Sequence, residues 1–303
     1  MTAVACASTA SWVAQTLGRL ERWLDAHLPS DAPAGLGDVM RYAVLDGGKR
    51  LRPLLVLAAW EAASGATPDD EAPVWWVAGA VELIHAYSLV HDDLPCMDDD
   101  VLRRGKPTVH VRYGQAQALL AGDALQALAF EWLLAPAWAQ QQPQRAVRLA
   151  SELAQAAGCY GMAGGQALDL AAVGQVLDQT ALEDMHRRKT GALLRASVRM
   201  GALAAGWDGE PLAALDRYGR ALGLAFQVMD DVLDATADTA TLGKTAGKDA
   251  AAGKPTFVSL LGVEAARAYA ERLLEQALAA LAALPADTVR LGDLARWVVQ
   301  RQH

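Results

Sequence analysis

The sequence has little that would build a sheet: alternating Val, Ile and Thr over strand lengths is missing from its 303 residues. Ala and Leu dominate instead, and the periodic signal is helical throughout, which predicts an all-α fold. Long apolar runs are missing too. Leu54 to Trp60 and Val74 to Ile84 are too short to span a bilayer, and the second carries Glu82, so no stable membrane insertion is expected. Met1 to Ala10 lacks the basic residue and apolar run of a secretory signal. Cysteine is scarce. Cys6, Cys96 and Cys159 form an odd, scattered set without metal-ligand spacing, which argues against a disulfide framework and predicts a cytoplasmic protein. Positive charge is not in excess either: a formal charge of −8 with mixed signs speaks against a nucleic-acid surface but allows local anion binding.

What the chain does have is 53% hydrophobic residues, enough for one large core, and a single domain over 1–303 is expected. Trp12, Val13, Leu17, Leu20 and Trp23-Leu24 mark an opening helix, broken by Pro29 to Gly37, and a short helix then runs to Gly47-Gly48. Pro53 suits the first turn of a helix reaching about Ser64. Further helices are predicted over Glu71 to Asp92, Tyr113 to Trp138, Gln144 to Gly158, Leu182 to Ala205, Pro211 to Ala235, Val263 to Leu284 and Leu291 to Arg301. Thr236 to Pro255, rich in Gly, Lys, Thr and Asp, reads as a mobile functional loop.

Two acidic clusters end helices, one in each half of the chain. In Asp230-Asp231-Val232-Leu233-Asp234, the first and last carboxylates share a helical face about 6 Å apart along the axis. Such crowding at a helix C-terminus, where the dipole disfavours anions, calls for a cation. The other cluster runs His91-Asp92-Asp93-Leu94-Pro95-Cys96-Met97-Asp98-Asp99-Asp100, and Pro95 swings the later aspartates back around the helix end. Carboxylate-only ligation beside a phosphate substrate points to magnesium, not zinc or copper, and the spacing does not fit a calcium EF-hand loop. The bland alternative for either cluster is a solvated acidic helix end.

Cations are placed to complement them. Gly47-Gly48-Lys49-Arg50-Leu51-Arg52-Pro53 is a glycine turn feeding a helix start, which suits an anion. Arg103-Arg104-Gly105 follows the first acidic cluster, Lys189-Thr190-Gly191 sits in a later helix, and Lys244, Lys248 and Lys254 line the loop. Each alone reads as a surface cation; together with the carboxylates they describe a pocket for two diphosphates.

These motifs, with His85-Ala86-Tyr87-Ser88-Leu89-Val90-His91, Gly164-Gly165-Gln166, Lys189-Thr190-Gly191-Ala192-Leu193, Phe226-Gln227-Val228-Met229-Asp230-Asp231 and Leu242-Gly243-Lys244, resemble the trans-isoprenyl diphosphate synthase family, most closely bacterial farnesyl diphosphate synthases. The resemblance runs from about Gly35 to the C-terminus. It implies a homodimer of isoprenoid-synthase-type helical bundles, each around a deep central cavity. It also implies a magnesium-dependent prenyltransferase that condenses isopentenyl diphosphate with dimethylallyl and geranyl diphosphate, head-to-tail and trans, to farnesyl diphosphate. By that resemblance Asp92, Asp98 and Asp230 are magnesium ligands, supported by Asp93, Asp231 and Asp234. Lys49, Arg52, His85 and Arg104 match the isopentenyl diphosphate site. Arg103, Lys189, Thr190, Gln227, Lys244 and Lys254 match the groups around the allylic diphosphate, with Lys189, Thr190 and Gln227 counted, like the aspartates, among the catalytic set. After Gly253-Lys254 the chain departs from the family's pattern, reading Pro255-Thr256-Phe257-Val258.

Tyr87 lies roughly 7 Å beneath Asp92 along the helix, so Tyr87 and Ser88 are expected to wall off the growing product, which with the Pro95-Cys96 insertion resembles synthases that stop at fifteen carbons. The alternative for Tyr87 is a core aromatic. A geranylgeranyl or geranyl diphosphate synthase is the nearest competing reading. A class I terpene cyclase has no reason to keep Gly47 to Pro53 and Arg104, a non-catalytic subunit of a heteromeric prenyltransferase usually loses aspartates from one cluster, and a cation-binding scaffold is the remaining option.

Overall fold

The computed structural model describes residues 2–45, 47–236 and 254–301. Its elements are almost all helical: α1 Thr2–His27, α2 Leu36–Val44, α3 Leu51–Ser64, α4 Val74–Asp92, a two-stranded hairpin of β1 Leu102–Arg103 and β2 Lys106–Pro107, α5 Val109–Tyr113, α6 Gln115–Leu134, α7 Ala137–Gln141, α8 Pro143–Ala157, α9 Met162–Ala171 and α10 Gln179–His186. A π-helical turn, Arg187–Gly191, leads into α11 Ala192–Ala205; α12 Gly209–Thr236, α13 Phe257–Leu261, α14 Val263–Ala282 and α15 Val289–Gln300 follow. The expected all-α fold is therefore present. The loop expected at Thr236 to Pro255, with Lys244 and Lys248, lies almost wholly outside the described residues. Among the described residues no helix is long and apolar enough to cross a membrane.

Two departures from the expected boundaries matter for the site. The helix expected over Leu182 to Ala205 is interrupted by the π turn, and α9 forms between Gly158 and Leu182, where no helix is expected. Internal contacts also divide the chain into two compact units: Met1–Leu57 with Pro68–Ala150, and Ala58–Thr67 with Ser151–His303.

In the first unit α4 is buried on nearly every side, from Val74 through Ala78, Val81 and Ile84 to Val90, as expected of a helix apolar all round. It packs along α6. Trp23 meets Trp76 and Trp132 edge-on at 5.0 and 5.1 Å, an arrangement that suits the ring quadrupoles. Beneath this core Arg50 is fully committed: its guanidinium donates to Glu82 at 2.6 Å, Glu21 at 2.8 Å and the Val44 carbonyl at 2.6 Å. Removing one partner from such a buried pair costs about 3–5 kcal/mol.

In the second unit α12 is flanked by α11 and α14. Tyr218 is fully buried on α12 and donates its hydroxyl to the Leu291 carbonyl at 2.8 Å, so α15 is tied to the same core. Asp216 gathers Arg195, Arg199 and Arg220 at 2.5, 3.1 and 2.7 Å. Burial works against its charge, but Arg220 and Arg195 hold the carboxyl below its ordinary range.

Candidate active site

The first acidic cluster begins where α4 ends. Pro95 stops the helix, and the chain folds back so that the Asp98 N–H donates to the Asp92 carbonyl at 2.8 Å, while Asp99 takes a positive φ of 49°. The turn brings Asp98 back to Asp92, as the sequence suggests. Asp93 points elsewhere. The residue is 2% exposed, and its carboxylate accepts from Arg103 through Nε at 3.0 Å and Nη2 at 2.5 Å. Burial raises the Asp93 carboxyl above its ordinary value even against the pull of Arg103. Burial also opposes the Arg103 charge, yet the hydrogen bond and charge of Asp93, joined by Asp92 and Asp98, hold that guanidinium above its ordinary value.

Arg103 and Arg104 sit in the hairpin. Arg103 pairs with Lys106 across it, and Arg104 and Gly105 form the two-residue turn with φ values of 52° and 77°. Both central residues lie in the left-handed region, which the Gly accepts freely and the Arg adopts at some cost. Arg104 reaches the Gly47 carbonyl with Nη1. Gly48, at φ 108°, lies so close beneath that a Cβ there would fall 2.5 Å from the Arg104 guanidinium carbon. Only a glycine admits both that φ and that approach.

Of the cations in the Gly47 to Pro53 motif, Arg50 turns inward as described, whereas Lys49 is exposed and Arg52 half-buried. His85 faces the same group. Burial, then the charges of Arg52, Arg104, Arg103 and Arg50, hold its pKa well below the ordinary value, so it is neutral at physiological pH. The structure thus brings Arg104 onto the Gly47 to Pro53 motif, and the charges of Arg52 and Arg104 act on His85.

Tyr87 and Ser88 occupy different faces of α4. Tyr87 is 8% exposed and edge-on to His91 at 5.7 Å. Ser88 donates to the His85 carbonyl at 2.8 Å and shares a face with Asp92 one turn on.

In the second unit the aspartates of α12 have separate partners. Asp230 receives Nη2 of Arg301 at 2.6 Å, and the Arg301 guanidinium also covers the Phe226 ring at 4.1 Å and donates to the Phe226 carbonyl at 3.0 Å. Asp231, 3% exposed, accepts from Gln227 Nε2 at 2.9 Å and from the Phe257 N–H at 2.8 Å. Gln227 in turn accepts from Thr190 Oγ1 at 3.0 Å. The chain Thr190 to Gln227 to Asp231 fixes the amide's orientation, because its oxygen and nitrogen each face the complementary group. Asp234 is buried at 6% exposure. Lys189 donates to Asp169 at 2.5 Å, and Lys254 lies 3.7 Å from the same oxygen. Lys244 falls outside the described residues.

Asp169, His186 and Arg301 are the functional neighbours that motif reading missed. Asp169 follows Gly165 by one helical turn in α9, a spacing readable in Gly164-Gly165-Gln166-Ala167-Leu168-Asp169 once the helix is known. Arg301 carries no signal, being 71 residues from Asp230.

Both clusters offer oxygen donors only, which suits a hard dication. Among the described residues no three His, Cys, Asp or Glu side chains converge as a metal cage. Magnesium needs no such cage: it takes one or two carboxylates and fills its shell with substrate phosphate oxygens and water, and the separated carboxylates fit that role.

A model of the polyprenyl synthetase family matches residues 33–287. Farnesyl diphosphate synthase of Escherichia coli is 52% identical over 268 residues, 87% of this chain and 88% of that protein. Among solved structures, an FPP/GFPP synthase from Zymomonas mobilis superposes with a TM-score of 0.85 at 40% identity, over 97% of this chain and 99% of that one. A geranyltransferase from Helicobacter pylori, complexed with magnesium and isoprenyl diphosphate, gives a TM-score of 0.80 at 36% identity over 96% of each chain.

Proposed function

We propose, because the chain belongs to the polyprenyl synthetase family, that it condenses isopentenyl diphosphate with dimethylallyl and then geranyl diphosphate to give farnesyl diphosphate. The observation that carries this reading is the close packing of Arg104 on Gly47 and Gly48, which sets an arginine beside the Gly47 to Pro53 motif, with its neighbour Arg103 held by Asp93 next to the Asp92 to Asp98 turn. It supports an anion site of the kind a second, non-allylic diphosphate requires.

In the reaction the allylic C–O bond breaks and its electron pair leaves with diphosphate. The double bond of isopentenyl diphosphate then closes on the allylic carbon, and a proton passes from the new chain to the released diphosphate. Lys49, Arg52 and Arg104 hold the isopentenyl diphosphate, and His85, kept neutral, donates one hydrogen bond without adding charge. Arg103, Lys189, Thr190, Gln227, Lys244 and Lys254 receive the allylic diphosphate as negative charge develops on it, an electrostatic preorganisation worth most where water is excluded. Asp92 and Asp98, and separately Asp230, are the carboxylates that would hold magnesium, and the metal would neutralise charge on the leaving group. Asp93, Asp231 and Asp234 are the supporting carboxylates: Asp93 orients Arg103, and Asp231 orients Gln227.

Tyr87, buried on the α6 side of α4, is our candidate for the residue that limits product length, with Ser88 beside it. We read the two units as one functional domain, since the family match runs through both. A homodimer is supported by α6, whose outer face exposes Leu119, Leu120 and Leu134 at 48, 52 and 47%, an apolar stripe suited to a second copy. Cys96 and Cys159 carry exposed free thiols, which supports a cytoplasmic setting.

Incubation of purified protein with magnesium, isopentenyl diphosphate and either dimethylallyl or geranyl diphosphate tests the reading. A fifteen-carbon product by chromatography is expected. A folded protein that condenses neither pair would sink it.

A further inference from the structure

We infer that Asp169 is a positioning residue for the allylic diphosphate, gathering Lys189 and Lys254 onto one carboxylate so that both ammonium groups are in place before substrate arrives. The inference rests on the functional reading above and adds to it a residue outside both aspartate clusters.

Asp169 is a buried acid, with 5% of its side chain exposed, and a single oxygen, Oδ2, serves both lysines at 2.5 and 3.7 Å. The backbone is built for this meeting. Gly165, one turn earlier on the same face of α9, lies against the π turn, and a Cβ at that position would fall 2.0 Å from the Lys189 backbone nitrogen. Any larger residue would drive α9 away from the turn, and Asp169 would be carried off with it. Gly165 sets the distance and Asp169 uses it.

The carboxylate is a charge that both lysines share. A cavity of about 50 Å³ is lined by Asp169, His186, Lys189, Gln227, Asp231, Lys254, Pro255 and Thr256. Asp231 is occupied by Gln227 and the Phe257 N–H. His186, 6% exposed, packs on Phe257 at 5.5 Å, and neither ring nitrogen has a hydrogen-bond partner among the described residues. It contributes shape and no neutralising charge. Two ammonium groups held at this spacing without Asp169 would repel, and their side chains are long enough to swing apart. Charge on Asp169 therefore converts two mobile cations into one preset site, the kind of orientation whose loss by an ångström costs about a hundredfold in rate.

The test is a double-mutant cycle on the full-length protein with magnesium. Asp169→Asn is expected to raise KM for geranyl diphosphate about tenfold or more while leaving KM for isopentenyl diphosphate within about twofold, and Asp169→Glu is expected to recover part of the loss. In the Lys189→Ala background the same Asp169→Asn change is expected to lose most of its effect, because the two residues act as one unit. Additive losses, equal rises in both KM values, or a fall in thermal stability with an unchanged allylic KM would overturn the positioning role while leaving the functional reading intact. Wild-type protein that neither condenses these substrates nor binds inorganic diphosphate by calorimetry would remove that reading, and this inference with it.

Discussion

Arg103 holds the buried carboxylate of Asp93 with two of its guanidinium nitrogens, so the residue after Asp92 in the aspartate run is turned toward the hairpin. The pair gives one carboxylate of the cluster the task of orienting an arginine. Arg103→Met would leave Asp93 buried without its cation. A loss of about 3 kcal/mol in urea unfolding is expected, and Arg103→Met with Asp93→Asn should recover much of it, since the uncompensated charge is then gone.

Gly48 sets the place of Arg104. Gly48→Ala meets a φ of 108° and the Arg104 guanidinium together, so the arginine must move off the Gly47 carbonyl. KM for isopentenyl diphosphate is expected to rise about tenfold with KM for the allylic substrate unchanged, measured by steady-state kinetics with each substrate varied in turn.

His186 makes stability depend on pH. Burial, against the pull of Asp169 and with the push of Lys189, lowers its pKa from 6.5 to about 4. A base whose folded pKa is depressed is neutral in the fold while the unfolded chain takes a proton, so stability is complete above pH 6.5 and declines as the pH falls toward 4. The full change is about 3 kcal/mol. Chemical denaturation across this window should show it, and His186→Gln should flatten the curve there.

Tyr87→Ala opens space between α4 and α6. Products longer than fifteen carbons are expected by chromatography, and a variant that still makes only farnesyl diphosphate would free Tyr87 from any role in length.

Much of this was readable from residue pattern, because the helices rest on Ala and Leu repeats and the Pro95 break dictates the return of Asp98 to Asp92. The limits are physical. Lys49, Arg50 and Arg52 look alike in a basic run, yet Arg50 turns inward to Glu82 and Glu21, partners supplied by distant helices. Asp230, Asp231 and Asp234 look like one ligand set, but adjacent residues on a helix point about 100° apart, so Asp231 faces Gln227 and Phe257 while Asp230 faces Arg301. No helix is expected between Gly158 and Leu182, yet α9 forms there with Gly165 packed against the π turn, a contact supplied by residues more than twenty positions away.

The π turn at Arg187–Gly191 has a consequence for how this segment tolerates insertion and deletion. A π turn holds an extra residue over the α-helical turn it replaces, and each residue of an α-helix advances about 100° around the axis. Deleting one residue here would let α10 and α11 join as an unbroken α-helix, a locally cheaper backbone. It would also rotate the two flanks against each other by about a quarter turn, taking Lys189 away from Asp169 or Thr190 away from Gln227. What this turn preserves is a count of residues, and a change of length there should be tolerated less readily than most changes of side chain.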